Sequence, residues 1–123
     1  MILADTSVWV DHLRGADAVL TGLLQAGRVL AHPFVTGELA LGNLRQRDPI
    51  LALLQELPRA IVASDDEVLH FIKRHALFGL GVGYVDVHLL ASARLTPGAS
   101  LWTRDNRLLA VATRQALAAN VAH

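Results

Sequence analysis

Short apolar runs alternate along this chain with longer segments of helical periodicity. Runs of three to five apolar residues are typical of buried strands, and apolar residues three and four positions apart line one face of a helix. The pattern predicts strands at 2–5, 28–32, 60–63 and 100–103. It predicts helices at about 6–14, 17–26, 34–45, 49–57, 64–77 and 84–95, and one or two short helices over 106–118.

Two of these helix starts carry a local signal. Thr6 and Ser7 follow the first strand and offer a hydroxyl N-cap for the first helix. Ser64 is followed three positions later by Glu67, which is the spacing of a capping box, and the acids between them suit the positive end of the helix dipole.

The order of the elements defines the predicted fold. Strands that alternate with helices form a parallel sheet covered on both faces. We therefore predict an α/β fold, with three layers (α/β/α) and a central, mostly parallel sheet. A chain of 123 residues fits one domain, residues 1–123. Ligands of such folds bind beyond the carboxyl ends of the strands.

Composition excludes several classes of protein. Hydrophobic residues make up 53% of the chain and charged residues 18%, which provides material for a core and argues against global disorder. The absence of cysteine excludes disulfides, zinc–thiolate sites and thiol nucleophiles. No apolar run reaches the length of a membrane span, and the N-terminus lacks the basic start of a signal peptide. These features favour a cytoplasmic location.

Eleven basic residues balance eleven acidic residues, whereas a strongly basic nucleic-acid binder would carry a positive net charge. All basic residues except Lys73 are arginines, and the planar guanidinium group is the better partner for phosphate. If several acids gather at one site, the remaining surface is more basic than the net charge indicates.

Four acidic residues lie where solvated acids are not expected. Asp5 follows the first strand and Asp105 follows the last, whereas Glu38 and Asp86 fall on or beside the apolar faces of their helices. Helix capping explains Asp5 and Asp105 about as well, and an ion pair with Arg45 is the alternative for Glu38. Four carboxylates in so small a chain would repel one another, and Mg²⁺ or Mn²⁺, which prefer oxygen ligands, would relieve that repulsion.

The segments around these acids resemble the four motifs of the PIN-domain family. Residues 3–11 resemble the first motif, 36–42 the second, 83–93 the third and 101–108 the fourth. All four occur in order across nearly the whole chain, and this order makes the resemblance specific.

The resemblance implies a metal-dependent endoribonuclease that hydrolyses RNA phosphodiester bonds with Mg²⁺ or Mn²⁺. The catalytic and metal-binding residues that it implies are Asp5, Glu38, Asp86 and Asp105, with Ser7 and Thr103 as supporting hydroxyls. Among PIN-domain proteins, a stand-alone domain of this length resembles the VapC toxins of toxin–antitoxin pairs. That resemblance implies a homodimer and a VapB-like antitoxin whose C-terminal segment blocks the cleft.

The remaining candidates are basic side chains. Arg104 and Arg107 flank Asp105 and are candidates for contact with substrate phosphates, although each alone is more typical of a solvated surface. His70 and His75 are five positions apart and do not share a helix face as a metal-binding pair would. We expect all six histidines to be structural or solvated.

Three other functions share features with this chain. A receiver-type phosphoacceptor domain is disfavoured. Such a domain has an acidic pair after its first strand and a lysine after its last strand, whereas the only lysine here, Lys73, lies inside a predicted helix. A non-catalytic PIN scaffold that binds RNA or protein has no need for four repelling carboxylates. A PIN nuclease that processes RNA without an antitoxin is compatible with the whole chain. A neighbouring gene for a small DNA-binding protein would favour the toxin over this alternative.

Overall fold

The computed structural model describes residues 1–121, and His123 lies outside them. The strands in this range are β1 (Ile2–Ala4), β2 (Val29–Leu30) and β3 (Ser100–Trp102). The helices are α1 (Thr6–Arg14), α2 (Ala18–Gln25), α3 (Pro33–Leu41), α4 (Arg47–Glu56), α5 (Asp65–His75), α6 (Tyr84–Leu95) and α7 (Asn106–Arg114). None of the helices in residues 1–121 has the length and apolar character needed to cross a membrane.

The three strands form a parallel sheet in the order β2-β1-β3. Ile2 in the central strand pairs with Val29, and Ala4 pairs with Trp102. The parallel sheet and its covering helices confirm the predicted α/β class. Because β1 and β3 end side by side, the residues that follow them emerge at the same edge of the sheet.

Helix α6 fixes the geometry of this edge. Its residues from Val87 to Ala93 are all buried, and the helix packs against β3 and α5. The first turn, which contains Asp86, and the last two residues of the helix approach solvent. A carboxylate at this position is therefore held by a rigid element at the rim of the core.

The predicted strand at 60–63 is wrong. Instead of joining a strand ladder, the backbone N–H of Ile61 donates to Oγ1 of Thr96 at 2.9 Å, and that of Ala63 donates to Oγ of Ser92 at 3.1 Å. Hydroxyl groups at the end of α6 thus satisfy amides that a strand would have paired with backbone. The side chains of Ile61 and Val62 are 50% and 46% exposed, so the two large apolar residues of the segment gain little burial there.

Two helices are shorter than predicted. Helix α3 ends at Leu41 rather than near residue 45, because Gly42 takes an extended conformation and Gly and Asn are poor helix formers. Helix α7 ends at Arg114 rather than at 118, followed by a left-handed residue, Ala116. The other predicted helix ends agree to within about two residues.

Candidate active site

Asp5 lies at the centre of the candidate site. It follows β1, is only 4% exposed and is the N-cap of α1, with Oδ1 accepting the backbone N–H of Val8 at 3.3 Å. The Ser7 hydroxyl donates to Oδ1 and the Thr103 hydroxyl donates to Oδ2, both at 2.5 Å. The predicted hydroxyl cap is therefore wrong, because the Asp5 carboxylate occupies that position. Three donors fix its orientation.

The same hydroxyls attach the loop after β3 to Asp5. Oγ of Ser7 accepts the backbone N–H of Arg104 at 3.0 Å, and Oγ1 of Thr103 accepts that of Asp105 at 3.0 Å. Asp105 then caps α7, with Oδ1 accepting two backbone N–H groups of its first turn at 2.9 and 3.0 Å. Asp105 thus fulfils the capping role weighed from the sequence and also lies beside Asp5.

Glu38 reaches the site from α3 and is exposed, so of the two predicted places, on or beside the packed face, it takes the second. Helix α3 buries only Val35 and Leu39, and Leu41 is 90% exposed. In the sequence, Leu41 therefore made the buried face of α3 appear wider than it is. Oε1 of Glu38 accepts a hydrogen bond from the Thr6 hydroxyl at 2.8 Å. From the sequence, Thr6 was expected only as a hydroxyl N-cap of α1, and nothing indicated its bond to Glu38.

Asp86 completes the cluster from the first turn of α6. Burial raises the pKa of its carboxyl, and the negative charges of Asp5, Asp105 and Glu38 raise it further. A hydrogen bond with the backbone of Gly83 acts in the opposite direction. The other three acids chosen from the sequence are thus close enough to disfavour the charge on Asp86.

The donor set suits a hard divalent cation. In the part of the chain that the structure describes, no three Asp, Glu or His side chains lie close enough to ligate one ion together. Mg²⁺ keeps several waters and is commonly bound through one or two carboxylates. Burial and then the neighbouring carboxylates raise the pKa of Asp86, and a bound cation would oppose both effects, so these residues fit such an ion.

The two candidate arginines differ in their contacts. The Arg104 guanidinium pairs with Asp17 at 2.9 Å and Asp11 at 3.3 Å, and its Cζ lies 5.3 Å from the centre of the Trp102 ring. These contacts join the loop after β3 to α1 and to the start of α2. They favour a structural role for Arg104.

Arg107, in contrast, is exposed and lies against the loop that precedes α6. A Cβ atom on Gly81 would stand 2.8 Å from Nη1 of Arg107, and Gly81 has a φ of +76°. The bare glycine backbone therefore leaves room for the guanidinium. This contact brings a positive charge to the loop that leads into the helix of Asp86.

A second polar cluster lies behind the site. Nε2 of buried His32 is 3.0 Å from Oγ of Ser92, and burial lowers the pKa of His32 to about 4. Nε2 of buried His88 is 3.8 Å from Oδ1 of Asp65, which accepts a hydrogen bond from the Tyr84 hydroxyl at 3.0 Å. No sequence signal indicated this cluster, because it depends on which helix faces meet.

Comparison with known proteins agrees with this architecture. The PIN domain family matches residues 2–114. The chain is similar to Ribonuclease VapC32 of Mycobacterium tuberculosis, from strains CDC 1551 / Oshkosh and ATCC 25618 / H37Rv, at 50% identity over 118 residues in each case. The matched segment covers 96% of this chain and 95% of the relative. These similarities confirm the predicted resemblance, and the chain belongs to the PIN-domain family.

Proposed function

We propose that the protein is a metal-dependent endoribonuclease that hydrolyses RNA phosphodiester bonds, and that it is the toxin of a toxin–antitoxin pair. The observation that carries this proposal is the meeting of Asp5, Glu38, Asp86 and Asp105 at one sheet edge, where three of the charges raise the pKa of the fourth carboxyl. The 50% identity to a protein named ribonuclease supports the choice of reaction.

Each acid has a proposed part. A bound Mg²⁺ or Mn²⁺ would activate a water molecule and neutralise charge on the attacked phosphate. Asp5 and Asp86 are the proposed direct ligands, because donors fix Asp5 and a buried helix fixes Asp86. Asp105 and Glu38 would orient the attacking water or bind a second ion. Oδ1 of Asp105 is already bonded to the first turn of α7, and Glu38 is exposed to solvent.

The neutral and basic side chains would support these acids. Ser7 and Thr103 orient the Asp5 carboxylate, and contact with the phosphate remains a prediction for both. Because hydrolysis by water does not use the RNA 2′-hydroxyl as nucleophile, preference for RNA must come from binding. Arg107 beside Gly81 is the proposed phosphate contact, whereas Arg104 holds the loop in place.

We propose that the C-terminal segment of a VapB-like antitoxin binds beside Glu38. A cavity of about 920 Å³ opens there between α1, α3 and α4. Leu13 and Leu53 contribute apolar surface to it, and Arg14 and Arg45 contribute positive charge. This combination suits an amphipathic segment with acidic side chains. A segment bound there would cover Glu38 and block access to the acids.

We also propose that the protein forms a homodimer and acts in the cytoplasm. Helix α5 has acidic residues at 65–67 and basic residues at 73–75. Two copies of α5 packed antiparallel about a two-fold axis would therefore match acidic ends with basic ends. Sedimentation velocity at low and high salt tests this pairing, which salt should weaken.

The function is tested by incubating purified protein with a structured RNA pool in Mg²⁺, in Mn²⁺ and in EDTA. We expect cleavage with either metal, none in EDTA, and a loss of at least about 100-fold in Asp5→Asn. Asp48→Asn, which changes an exposed acid on α4, is the matched control and should cut normally. Cleavage that survives EDTA and Asp5→Asn would refute the mechanism. Metal binding without cleavage of any RNA would favour a non-catalytic scaffold.

A further inference from the structure

A second cavity, of about 520 Å³, lies between α5 and the second half of α6. Arg94, which lines it, is eight positions beyond Asp86 on α6, or about 12 Å along the helix axis. Phe71, Ala91 and Leu95 provide its apolar lining. The cavity is therefore separate from the acid cluster, and its volume is that of a small-molecule site.

Four basic side chains line the same cavity: His70, Arg74, His75 and Arg94. Among residues 1–121, neither arginine has a carboxylate within 4 Å. Burial lowers the pKa of half-buried His75, and the positive charges of Arg94, Arg74 and His70 lower it further. Like charges thus converge here without a counter-ion, as they do with the opposite sign at the acids.

Two features of the helices offset part of this charge. The carboxyl ends of α5 and α6 each carry about half a negative charge, which basic residues in a last turn complement. Asp66 and Glu67 line the other end of the cavity, and Glu67 is about 10 Å along α5 from Arg74, a separation at which salt screens most of the interaction. Two arginines against two half charges leave about one positive charge even when both histidines are neutral.

The Arg94 guanidinium is held in place. Its Nη2 donates to the backbone oxygen of Gln115 at 2.8 Å and to Oε1 of the same residue at 3.1 Å. Its Cζ lies 6.0 Å from the centre of the Phe71 ring, and the Phe71 and His75 ring centroids are 4.8 Å apart. A side chain that is already ordered loses little conformational entropy when it binds a ligand.

We propose that this cavity binds a nucleotide, with the phosphate group at Arg74 and Arg94 and the base against the apolar lining. The guanidinium group matches two phosphate oxygens with parallel hydrogen bonds. A phosphate monoester carries a charge of about −1.5 to −2 and three acceptor oxygens, so it satisfies more of these donors than a carboxylate does. The volume beyond the phosphate leaves room for a nucleoside. The site does not involve the acids and goes beyond the proposed nuclease function.

The test is calorimetric titration with adenosine monophosphate (AMP) in low salt and EDTA, so that no metal ion holds phosphate at the acids. We expect AMP to bind at least about 10-fold more tightly than adenosine, which lacks the phosphate. Arg74→Ala should weaken AMP binding by about 10-fold, and Arg94→Lys, which loses the planar group, by a smaller factor. Arg28→Ala removes an exposed arginine outside the cavity and, as the matched control, should bind AMP like the wild type.

Proton NMR of the histidine rings locates the ligand. Bound AMP should raise the pKa of His75, because the phosphate opposes the positive charges that lower it, and should leave the pKa of His12 unchanged. Equal affinity for AMP and adenosine would overturn the proposal. A pKa of His75 that does not move when the protein is saturated with AMP would overturn it too.

The basic end of α5 also takes part in the homodimer proposed above. Arg74 cannot bind both a phosphate and the acidic end of a second α5, so AMP should shift the sedimentation coefficient toward that of the monomer. AMP binding without this shift would support the phosphate site and contradict the pairing of the α5 helices. A dimer that excludes AMP at every concentration would overturn the phosphate site, because a second copy of the chain would be its occupant.

Discussion

At the residue scale, Asp86 illustrates the conflict between function and stability. Its pKa lies above the ordinary value, so the ionised carboxylate is disfavoured in the folded protein at neutral pH. Asp86→Asn removes that charge, and we expect the metal-free variant to melt about 2–5 °C higher than the wild type. Mn²⁺ should raise the melting temperature of the wild type and not of the variant. Calorimetry in EDTA and in Mn²⁺ measures both, and an EDTA melting temperature at or below that of the wild type would contradict the expectation.

Gly81 provides a second prediction, because its missing side chain leaves room for Arg107. Gly81→Ala would strain a backbone with positive φ by about 1 kcal/mol and displace the guanidinium. We expect weaker RNA binding, similar to that of Arg107→Ala, and a double variant no weaker than either single one. Gly22→Ala, at a helical position with no atom within 4 Å of the added Cβ, is the control for loss of a glycine. Additive losses in a binding titration would show that the two residues act independently.

The sequence was informative about residues that break a local pattern and uninformative about contacts between elements. An acid after a strand or within an apolar helix face is visible without a structure, and all four such acids meet at one edge. The bond from Thr6 to Glu38 and the link from Tyr84 to Asp65 join elements far apart in the chain. No local pattern encodes those contacts.

At the element scale, Arg104 joins three parts of the fold through Asp11, Asp17 and Trp102. The guanidinium is only partly exposed, so solvent screens these contacts incompletely. We expect Arg104→Ala to lower the free energy of unfolding by about 1–2 kcal/mol, after allowing for that screening. Arg104→Lys keeps the charge but not the planar guanidinium group, and its free energy of unfolding should lie between those of the wild type and the alanine variant. Urea unfolding measures the change, and an alanine variant as stable as the wild type would refute the structural role.

Helices and strands were predicted correctly from the sequence where the bonds that define them form between residues close together in the chain. Helix α5 begins where the capping box placed it, with Ser64 accepting from the N–H of Glu67 and the Glu67 carboxylate accepting from that of Ser64. Both bonds form within four residues. The false strand at 60–63 failed for the opposite reason, because its amides are satisfied by Ser92 and Thr96 about 30 residues away.

At the scale of the whole molecule, we propose that residues 1–123 form a single domain, since all three strands contribute to one cluster of buried side chains. His32 links parts of that core, because it precedes α3 and contacts Ser92 on α6. Protonation of this buried ring would require breaking up the packing around it. The stability of the molecule should therefore depend on the pH.

The pKa of His32 is about 4 in the folded protein against 6.5 as its ordinary value, lowered first by burial and then by the neighbouring His88. Between pH 6.5 and 4, His32 therefore binds a proton in the unfolded chain but not in the folded protein. Stability should be unaffected by this group above pH 6.5, fall as the pH decreases from 6.5 to 4, and lose up to ~3 kcal/mol in total. His32→Gln should remove this part of the dependence. Urea unfolding at pH 7.5, 6 and 5 measures it, and parallel curves for the two proteins would contradict the assignment.

The pairing of β1 with β3 has a consequence for the order in which the protein is made. The bond from Thr103 to Asp5 spans 98 positions, so the two halves of the acid cluster are synthesised far apart in time. A ribosome builds the chain from its N-terminus, so the edge of β1 that pairs with β3 stays unpaired until β3 has left the exit tunnel. The proposed nuclease would therefore be inactive until β3 and Asp105 have left the exit tunnel. A ribosome that makes such an enzyme would be exposed to its activity only after residues well beyond Asp105 have been translated.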